Sequence, residues 1–343
     1  MCGGRLNVVN SHDFNQGPGS SLPEGPRSEV KRLMDPEISA PKIVIICGPT
    51  GVGKTAVALD LAEAFRAEIV SADSMQIHKH MNIGTAKPKL HEQSRVPHHM
   101  IDIKNPDESF DARQFAETSH GIIMKLHERN VATFVVGGTG LYIKALVYGL
   151  FQTGILNSGI RIRLRQEAQI HGTEFLYQRL IQFDPEAAKR IHPNDTYRLI
   201  RALEVYEETG KKISEYHHEH SFRHPAFRVL KIGLDMERKT LYDRINSRVE
   251  SMMEEGLVDE VRDLLHKGYT ANLKSMQAIG YRHVVDFIQE RLPYNETLRT
   301  LKRDTRRYAK RQLTWFRADP DVLWFQPDEL NEMHRRINRF LKE

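Results

Sequence analysis

The sequence predicts an α/β fold, in which a parallel sheet carries helices on both faces and a helical lobe is inserted into the chain. Residues 43–47 and 131–136 are largely apolar runs, which suit strands buried on both sides, as in parallel sheets. Each run leads directly into a glycine-rich turn and then into a helical pattern. Residues 151–225 are helical in pattern and strongly basic, so an inserted lobe is the simplest account.

The turn after the first run matches the phosphate-loop pattern G-x-x-x-x-G-K-[ST]. Its residues are Gly48, Pro49, Thr50, Gly51, Val52, Gly53, Lys54 and Thr55. The glycines let backbone N–H groups surround a phosphate, Lys54 supplies a positive charge, and Thr55 can reach a magnesium ion. Apolar residues at helical spacing follow, so a helix macrodipole adds positive potential. The pattern predicts a P-loop NTPase-like core with a phosphate site, but it does not identify the phosphate compound.

The composition suits one large folded unit. The 343 residues are 40% hydrophobic, and 50 basic against 45 acidic side chains are a mild excess that fits a polyanionic partner without proving one. We expect residues 39–150 and 226–343 to form the catalytic core, with residues 151–225 as the inserted lobe. Residues 1–38 are rich in Gly, Ser, Pro and charge, which predicts a disordered extension.

The sequence also bears on the cellular setting. It has no run of eighteen apolar residues and no apolar signal-peptide core near its start. Its two cysteines exclude a disulfide framework. We therefore expect a soluble cytoplasmic monomer that does not associate with a membrane.

A second predicted strand, residues 68–72, places polar residues at its carboxyl end. These residues are Asp73, Ser74, Met75 and Gln76. In doubly wound sheets the ligand crevice lies at this edge, so Asp73 is a candidate general base or indirect magnesium ligand. The alternative is an acidic turn residue that caps the next helix, and position alone does not separate the two.

The strand predicted at residues 131–136 ends differently from those of nucleotide kinases. It leads into Gly137, Gly138 and Thr139, where a kinase or ATPase has an acidic residue that organises magnesium. This weakens an ATPase or kinase interpretation, although Asp73 could serve the metal. Thr139 is expected near the crevice.

Two groups of histidines invite a metal hypothesis. His98 and His99 begin a third predicted strand, residues 98–103, where neighbouring side chains point to opposite faces, so a structural role is favoured. The cluster at residues 216–220 lies near the end of the predicted lobe, where a polar hinge needs no metal.

Arginine and lysine are concentrated in three places. The lobe carries arginines at 161–165 and 198–201, which fit either a solvated helix face or a nucleic-acid surface. Arg244 and Arg248 lie four residues apart on a predicted helix, which indicates a shared anion unless nearby carboxylates pair with them. The helix predicted at residues 296–317 carries eight cations: Arg299, Lys302, Arg303, Arg306, Arg307, Lys310, Arg311 and Arg317. This density favours a track for nucleic-acid phosphates.

These stretches together resemble the tRNA dimethylallyltransferase family, also called tRNA isopentenyltransferases or IPP transferases, over residues 41–330. The matching motifs, in family order, are GPTGVGKT (48–55), SADSMQ (71–76), NIGTAKP (82–88), VVGGTGLYIKAL (135–146), HPND to RLIRALEVYEETGK (192–211), IGLDMER (232–238), AIGYR (278–282) and YAKRQLTWFR (308–317). The chain ends soon after the last motif without the zinc-finger extension of eukaryotic relatives, so it is similar to the bacterial type.

The resemblance implies a reaction. A dimethylallyl group passes from dimethylallyl diphosphate to N6 of adenosine 37, next to the tRNA anticodon, giving N6-(dimethylallyl)adenosine and diphosphate. By the same resemblance Asp73 is the general base, Thr139 contacts the substrate and Arg248 binds the diphosphate. The N–H groups of residues 50–55, Lys54, and Thr55 with Mg²⁺ meet the leaving group.

The resemblance also implies that the anticodon stem-loop contacts the edge of the site, the lobe and the basic helix. The residues expected there are Asp73, Ser74, Met75, Gln76, Thr139, Arg161, Tyr197, Arg198, Leu199, Ile200, Arg201, Arg306, Arg307, Lys310 and Arg311. Two alternatives stay open. A relative that prenylates free adenosine phosphates would not need the lobe and basic helix, and a P-loop kinase or RNA-binding NTPase would turn over or hold ATP.

Overall fold

The computed structural model describes residues 40–151, 158–220 and 225–343. The extension predicted for residues 1–38 lies outside the described residues. Residues 40–343 form one compact unit.

A six-stranded parallel sheet forms the centre of the described chain. Its strands are β1 (Lys42–Cys47), β2 (Glu68–Ser71), β3 (His98–His99), β4 (Thr133–Gly137), β5 (Arg228–Leu234) and β6 (Val322–Phe325). Their order across the sheet is β3-β2-β4-β1-β5-β6. The predicted parallel α/β sheet is confirmed.

Fourteen helices accompany the sheet in the described residues. They are α1 (Lys54–Ala64), α2 (Leu90–Arg95), α3 (Ala112–Glu128), α4 (Gly140–Tyr148), α5 (Ser158–His171), α6 (Thr173–Phe183), α7 (Pro185–Arg190), α8 (Thr196–Thr209), α9 (Ile213–His220), α10 (Arg238–Glu254), α11 (Leu257–His266), α12 (Tyr281–Ile288), α13 (Tyr294–Arg317) and α14 (Leu330–Lys342). None of them is long and apolar enough to cross a membrane.

Strand β1 is buried on both faces, as its unbroken apolar run predicts. Ile43 and Ile45 pack into one apolar cluster, and Val44 and Ile46 into another. Successive side chains of a strand point to opposite faces, so each cluster lies on its own side of the sheet. Helices therefore cover both faces, and the ligand-binding edge is left at the carboxyl ends of the strands.

Helices α5 to α9, between β4 and β5, have an apolar core of their own. Leu164, Leu176, Leu180, Leu199 and Leu203 are each fully buried in one cluster. The described residues between β4 and β5 are thus mostly helical, and the inserted lobe stays a prediction about domain boundaries.

The predicted third strand is shorter than expected. Strand β3 ends at His99, because Met100 and Asp102 adopt φ values of 65° and 56°, in the left-handed region that no strand can use. Both histidines have structural hydrogen bonds. The Nδ1 of His98 lies 2.7 Å from the carbonyl oxygen of Val96, and the Nε2 of His99 lies 2.7 Å from a carboxylate oxygen of Glu68. The structural role favoured for them is confirmed.

Helix α10 differs slightly from its prediction. Its buried stripe is Leu241, Ile245, Val249 and Met253, so the last member is not Met252. Met253 follows Val249 at a spacing of four residues, which keeps it on the same face. Met252 lines a cavity near the sheet edge instead.

Two glycines give a test of this packing. A Cβ atom on Gly137 of β4 would lie 2.1 Å from the carbonyl oxygen of Ala72, whereas one on Gly121 of α3 would meet nothing within 4 Å. We expect Gly137→Ala to lower the free energy of unfolding by about 2–3 kcal/mol or more, because backbone on the neighbouring strand cannot move aside. The control Gly121→Ala should raise it by about 0.5–1 kcal/mol in urea unfolding. Equal effects of the two substitutions would contradict this packing.

Candidate active site

The glycine-rich loop lies between β1 and α1, at the carboxyl edge of the sheet. Gly53 is the N-cap of α1 and has a φ of 108°, a left-handed conformation that favours glycine. Gly48 passes so close to β5 that a Cβ atom would lie 2.6 Å from the carbonyl oxygen of Leu234. Other residue types at these two positions would displace the loop.

The start of α1 offers donors to an anion. Within the described residues, the backbone N–H groups of Lys54 and Thr55 donate to no acceptor, as expected for the first turn of a helix. The Nζ of Lys54 donates to the carbonyl oxygen of Pro49 at 2.8 Å, which holds the ammonium group over the loop. The N–H of Thr50 instead donates to Oε1 of Gln312 at 2.8 Å. The N–H of Val52 donates to the carbonyl oxygen of Pro49 at 3.4 Å, so the predicted cradle has two donors fewer than expected.

Two arginines of α10 face the loop. Arg244 and Arg248 line the same cavity of about 360 Å³ as Lys54, Thr55 and Asp73. Neither guanidinium forms an ion pair with a carboxylate among the described residues. The arrangement fits the shared anion inferred from their spacing and not local pairing with carboxylates.

The cations in this cavity are destabilised by burial and by one another. Burial lowers the pKa of Lys54 to about 8, while the Asp73 carboxylate acts in the opposite direction and Arg248 adds to the lowering. Burial also lowers the pKa of Arg248, with Asp73 opposing it and Arg244 adding to it. A bound polyanion would relieve this repulsion, so the cavity suits a multiply charged ligand.

Asp73 fits both of the roles left open by the sequence. Its Oδ1 accepts hydrogen bonds from the N–H groups of Met75 at 2.8 Å and Gln76 at 3.4 Å, so it caps the turn. Its Oδ2 accepts no hydrogen bond from the described residues, and the side chain lines the cavity. One oxygen fixes the carboxylate, and the other is available as a base or a metal ligand.

Thr139 lies beside Asp73, at the end of β4. Its Oγ1 accepts a hydrogen bond from the N–H of Ser74 at 3.1 Å, and the hydroxyl of Tyr308 from α13 lies close to it. Burial, followed by the Asp73 charge, raises the pKa of Tyr308 to about 12, so this hydroxyl stays protonated. Thr139 therefore bonds the backbone of Ser74 and lies beside a neutral hydroxyl, at the position where kinases carry an acid.

The NIGTAKP segment forms one wall of the site. A carboxylate oxygen of Glu260 in α11 accepts hydrogen bonds from the N–H groups of Asn82 and Ile83 at 2.8 Å each. Its other oxygen accepts from Gly84 at 3.1 Å and from the hydroxyl of Tyr281 at 2.7 Å. This single side chain joins the NIGTAKP and AIGYR motifs, and nothing in the sequence indicated it, because it lies in neither motif.

Gln76, expected to contact tRNA, is occupied inside the protein. Its Oε1 accepts from the hydroxyl of Ser71 at 3.0 Å, and its Nε2 donates to the carbonyl oxygen of Ala86 at 3.2 Å. It therefore fastens the NIGTAKP segment to β2. Ser74 and Met75 line an adjoining cavity and remain accessible.

This adjoining cavity, of about 310 Å³, shares Thr50, Asp73 and Arg248 with the phosphate-loop cavity. Its far wall is apolar and consists of Met75, Ile245, Val249, Met252, Ile279 and Leu301. An apolar space thus opens next to a polyanion site and a carboxylate.

In the lobe, the expected RNA contacts divide into buried and accessible residues. Leu199 and Ile200 are 0% and 6% exposed in the core of the lobe, which corrects their assignment as contacts, because an apolar residue at these positions of α8 faces inward. Arg161 and Arg201 both bind the buried carboxylate of Glu204, at 2.7 and 3.2 Å.

Tyr197 and Arg198 are the accessible pair. Tyr197 is 72% exposed, and Arg198 bonds only the neighbouring Asp195, at 3.1 Å, within the described residues. Arg198 lines a cleft of about 1140 Å³ together with three cations of α13, Arg307, Lys310 and Arg311. The lobe and the basic helix thus meet at one cleft.

The cations of α13 are not equivalent. At its start, Arg299 pairs with Glu296, Lys302 with Glu250, and Arg303 with Asp304. Arg306 donates to the side-chain oxygen of Asn246 at 2.6 Å, and Arg307 lies 3.8 Å from Asp304. Lys310 and Arg311 pair with no carboxylate among the described residues and are exposed. The unneutralised charge is concentrated in the second half of the helix.

Known proteins are similar to this chain over most of its length. Residues 76–319 match the family model described as IPP transferase. A tRNA dimethylallyltransferase of Desulfosudis oleivorans is 49% identical over 303 residues, 88% of this chain and 96% of that protein. The tRNA dimethylallyltransferase 2 of Syntrophus aciditrophicus is 50% identical over 309 residues, 90% and 99% of the two chains.

Solved structures with the same fold include the full-length tRNA isopentenylpyrophosphate transferase of Bacillus halodurans. It is 41% identical, with a TM-score of 0.66, and the match covers 88% of this chain and 97% of that one. A eukaryotic dimethylallyltransferase acting on tRNA has a TM-score of 0.72 at 28% identity, over 85% and 75% of the chains. These structures confirm the predicted fold class.

The pKa of Lys54 gives a test of the cavity. We expect inorganic diphosphate to bind less tightly as the pH rises above about 8, because the ammonium group is charged below its pKa and neutral above it. Binding of the anion should raise this pKa, so protons should be taken up near pH 8 in calorimetry with buffers of different ionisation enthalpy. Lys54→Arg stays charged and should not show the proton uptake that comes from Lys54. The titration of diphosphate itself is common to both proteins. Identical pH dependence in the two proteins would refute the role of Lys54.

Proposed function

This chain belongs to the IPP transferase family, and from that premise we propose that it transfers a dimethylallyl group from dimethylallyl diphosphate to N6 of adenosine 37 of tRNA. The products are N6-(dimethylallyl)adenosine and diphosphate. The observation that carries the proposal is one cavity in which the free oxygen of Asp73 faces Lys54, Arg244 and Arg248, with an apolar space adjoining it.

The donor's two ends fit the two parts of this site. Its diphosphate matches the donors at the start of α1 together with Lys54 and Arg248, and its C5 chain matches the apolar wall that includes Val249 and Met252. The reacting carbon then lies where the two cavities meet, next to Asp73. The division of the site into an anion-binding part and an apolar part explains how a phosphate loop can serve an alkyl transfer instead of a phosphoryl transfer.

The exocyclic amine of adenine is a weak nucleophile, because its lone pair is delocalised into the ring. The bond between N6 and the allylic carbon forms as the bond from that carbon to the diphosphate oxygen breaks. The diphosphate leaves with the electron pair, and the N6 proton passes to Oδ2 of Asp73. Lys54 and Arg248 stabilise the charge that develops on the leaving oxygen. No covalent intermediate with the enzyme is required.

Mg²⁺ fits the donors present. The hydroxyl of Thr55 makes no hydrogen bond within the described residues and shares the cavity with the Asp73 carboxylate, and both are oxygen ligands of the kind that magnesium prefers. The described residues hold no group of three His, Cys, Asp or Glu side chains that would bind a metal alone. This agrees with an ion held through Thr55, water and substrate oxygens, where it would neutralise diphosphate charge.

The proposed acceptor is an anticodon stem-loop, which enters through the cleft between the lobe and α13. Lys310 and Arg311 present unpaired charge there, and Trp315 is 40% exposed beside them. Phosphate contacts and stacking surfaces of this kind are typical of RNA recognition. A free adenosine phosphate would make no use of these features.

The first test is the reaction. Unmodified tRNA given dimethylallyl diphosphate and Mg²⁺ should gain one dimethylallyl mass by mass spectrometry. Asp73→Asn should slow the transfer by about 10²–10⁴-fold, since the amide cannot accept the N6 proton. Asp111→Asn is the matched control, because Asp111 also caps a turn, accepting from Arg113 and Gln114 at 2.9 Å each, but lies outside the cavity. A tRNA that gains no mass, or equal rates in the two variants, would count against the proposal. AMP that outcompetes tRNA as acceptor would favour the alternative enzyme that prenylates free adenosine phosphates.

A second test concerns the RNA surface. Lys310→Ala and Arg311→Ala should each weaken stem-loop binding and lower the slope of log affinity against log salt by about 1, because each removes a phosphate contact. Lys302→Ala is the control, since Lys302 already pairs with Glu250. Filter-binding measurements across a salt series would check this, and equal slopes in all three variants would show that α13 does not bind the backbone.

A further inference from the structure

Gln312 lies on α13, on the side opposite to the exposed cations. Its side chain is 6% exposed, and the residues one turn away on the same face, Ala309 and Phe316, are also buried. Lys310 lines the cleft, and Arg311 lines both the cleft and the apolar cavity beside Asp73. One rigid helix thus presents a buried amide to the sheet edge and unpaired charge to the outside.

The amide of Gln312 joins the two glycine-rich turns of the site. Its Oε1 accepts from the N–H of Thr50 in the phosphate loop, and its Nε2 donates to the carbonyl oxygen of Gly138 after β4, each at 2.8 Å. An N–H on one side and a carbonyl on the other fix which end of the amide faces which loop. A carboxylate or an apolar side chain could not satisfy both partners.

The contact is close enough to constrain the second turn. A Cβ atom on Gly138 would lie 2.2 Å from Nε2 of Gln312, so only glycine leaves room for the amide. One helical turn earlier, Tyr308 lines the same cavity as Gln312. The amide of Gln312 therefore holds Thr50 and Gly138 at fixed positions.

We propose that Gln312 is a positioning residue through which RNA bound on the outer face of α13 sets the geometry of the phosphate loop. The proposal rests on the proposed function, because it takes the anticodon stem-loop as the ligand of Lys310 and Arg311. RNA contacts that restrain α13 also restrain Thr50 and the Gly138 turn through this amide. Diphosphate then binds to a loop that is already ordered, and by thermodynamic reciprocity diphosphate strengthens RNA binding by the same factor.

The measurement is the affinity of inorganic diphosphate with Mg²⁺, by calorimetry, with and without saturating unmodified stem-loop RNA. The wild-type protein should bind diphosphate at least about fivefold more tightly with RNA present. Gln312→Leu, which loses both hydrogen bonds, should bring this ratio to within about twofold of one. A merely structural role would change both affinities and leave their ratio intact. Gln289→Leu, at the exposed end of α12, is the control and should keep the wild-type ratio.

Gln312→Asn is the second variant to test, in case Gln312→Leu does not fold. Its shorter side chain cannot reach both loops, and we expect the same loss of coupling. A variant that folds and keeps the wild-type ratio overturns the proposal. So does a wild-type protein that transfers the dimethylallyl group but shows a ratio near one, which leaves the proposed function standing. A wild-type protein that neither binds nor modifies the stem-loop overturns the proposed function and this inference together.

Discussion

The parallel pairing of β1 with its neighbours is the constraint on which the site depends. Cys47 pairs with Gly137 of β4 and Gly233 of β5, so β4 ends level with β1 and β5 ends one residue later. The glycine-rich turns after β1 and β4 therefore lie side by side, and β2 delivers Asp73 at the same edge. Close backbone approach at Gly137 leaves no space for a side chain between them. The cavity is thus a consequence of sheet register before any charged group is considered.

Charge pairing divides the basic residues by role. Arg161, Arg201 and the first cations of α13 are neutralised by carboxylates and hold helices together. Lys54, Arg244 and Arg248 remain without carboxylate ion pairs among the described residues, in the phosphate-loop cavity. Lys310 and Arg311 also lack carboxylate partners in that part of the chain, and they line the cleft between the lobe and α13. Unpaired buried or clustered charge is costly, so its two locations mark the two polyanions that the enzyme is proposed to bind.

The phosphate loop here serves a reaction that needs no γ-phosphate chemistry. Where a kinase has an acid after the strand next to the loop, this chain has a glycine turn and Thr139, which bonds the backbone of Ser74. The carboxylate of this site, Asp73, instead follows β2, the strand on the other side of β4 in the sheet. A phosphate loop is therefore compatible with the proposed role of Asp73 as the base, because the leaving group of both reactions is a phosphate ester or anhydride.

Local sequence determined the elements whose signals are local: the buried strands, the phosphate loop, Asp73 at a strand end and the basic helix. Motif order was enough to identify the family. Tertiary structure decided which side chains are free. Strand β3 ends at His99 because two residues after it adopt left-handed backbone conformations. Leu199 and Ile200 are buried in the core of the lobe, and the amide of Gln76 bonds the protein backbone. Glu260 and Gln312 could not be found from spacing, since their partners lie about 180 and 260 residues away in sequence and only folding brings them together.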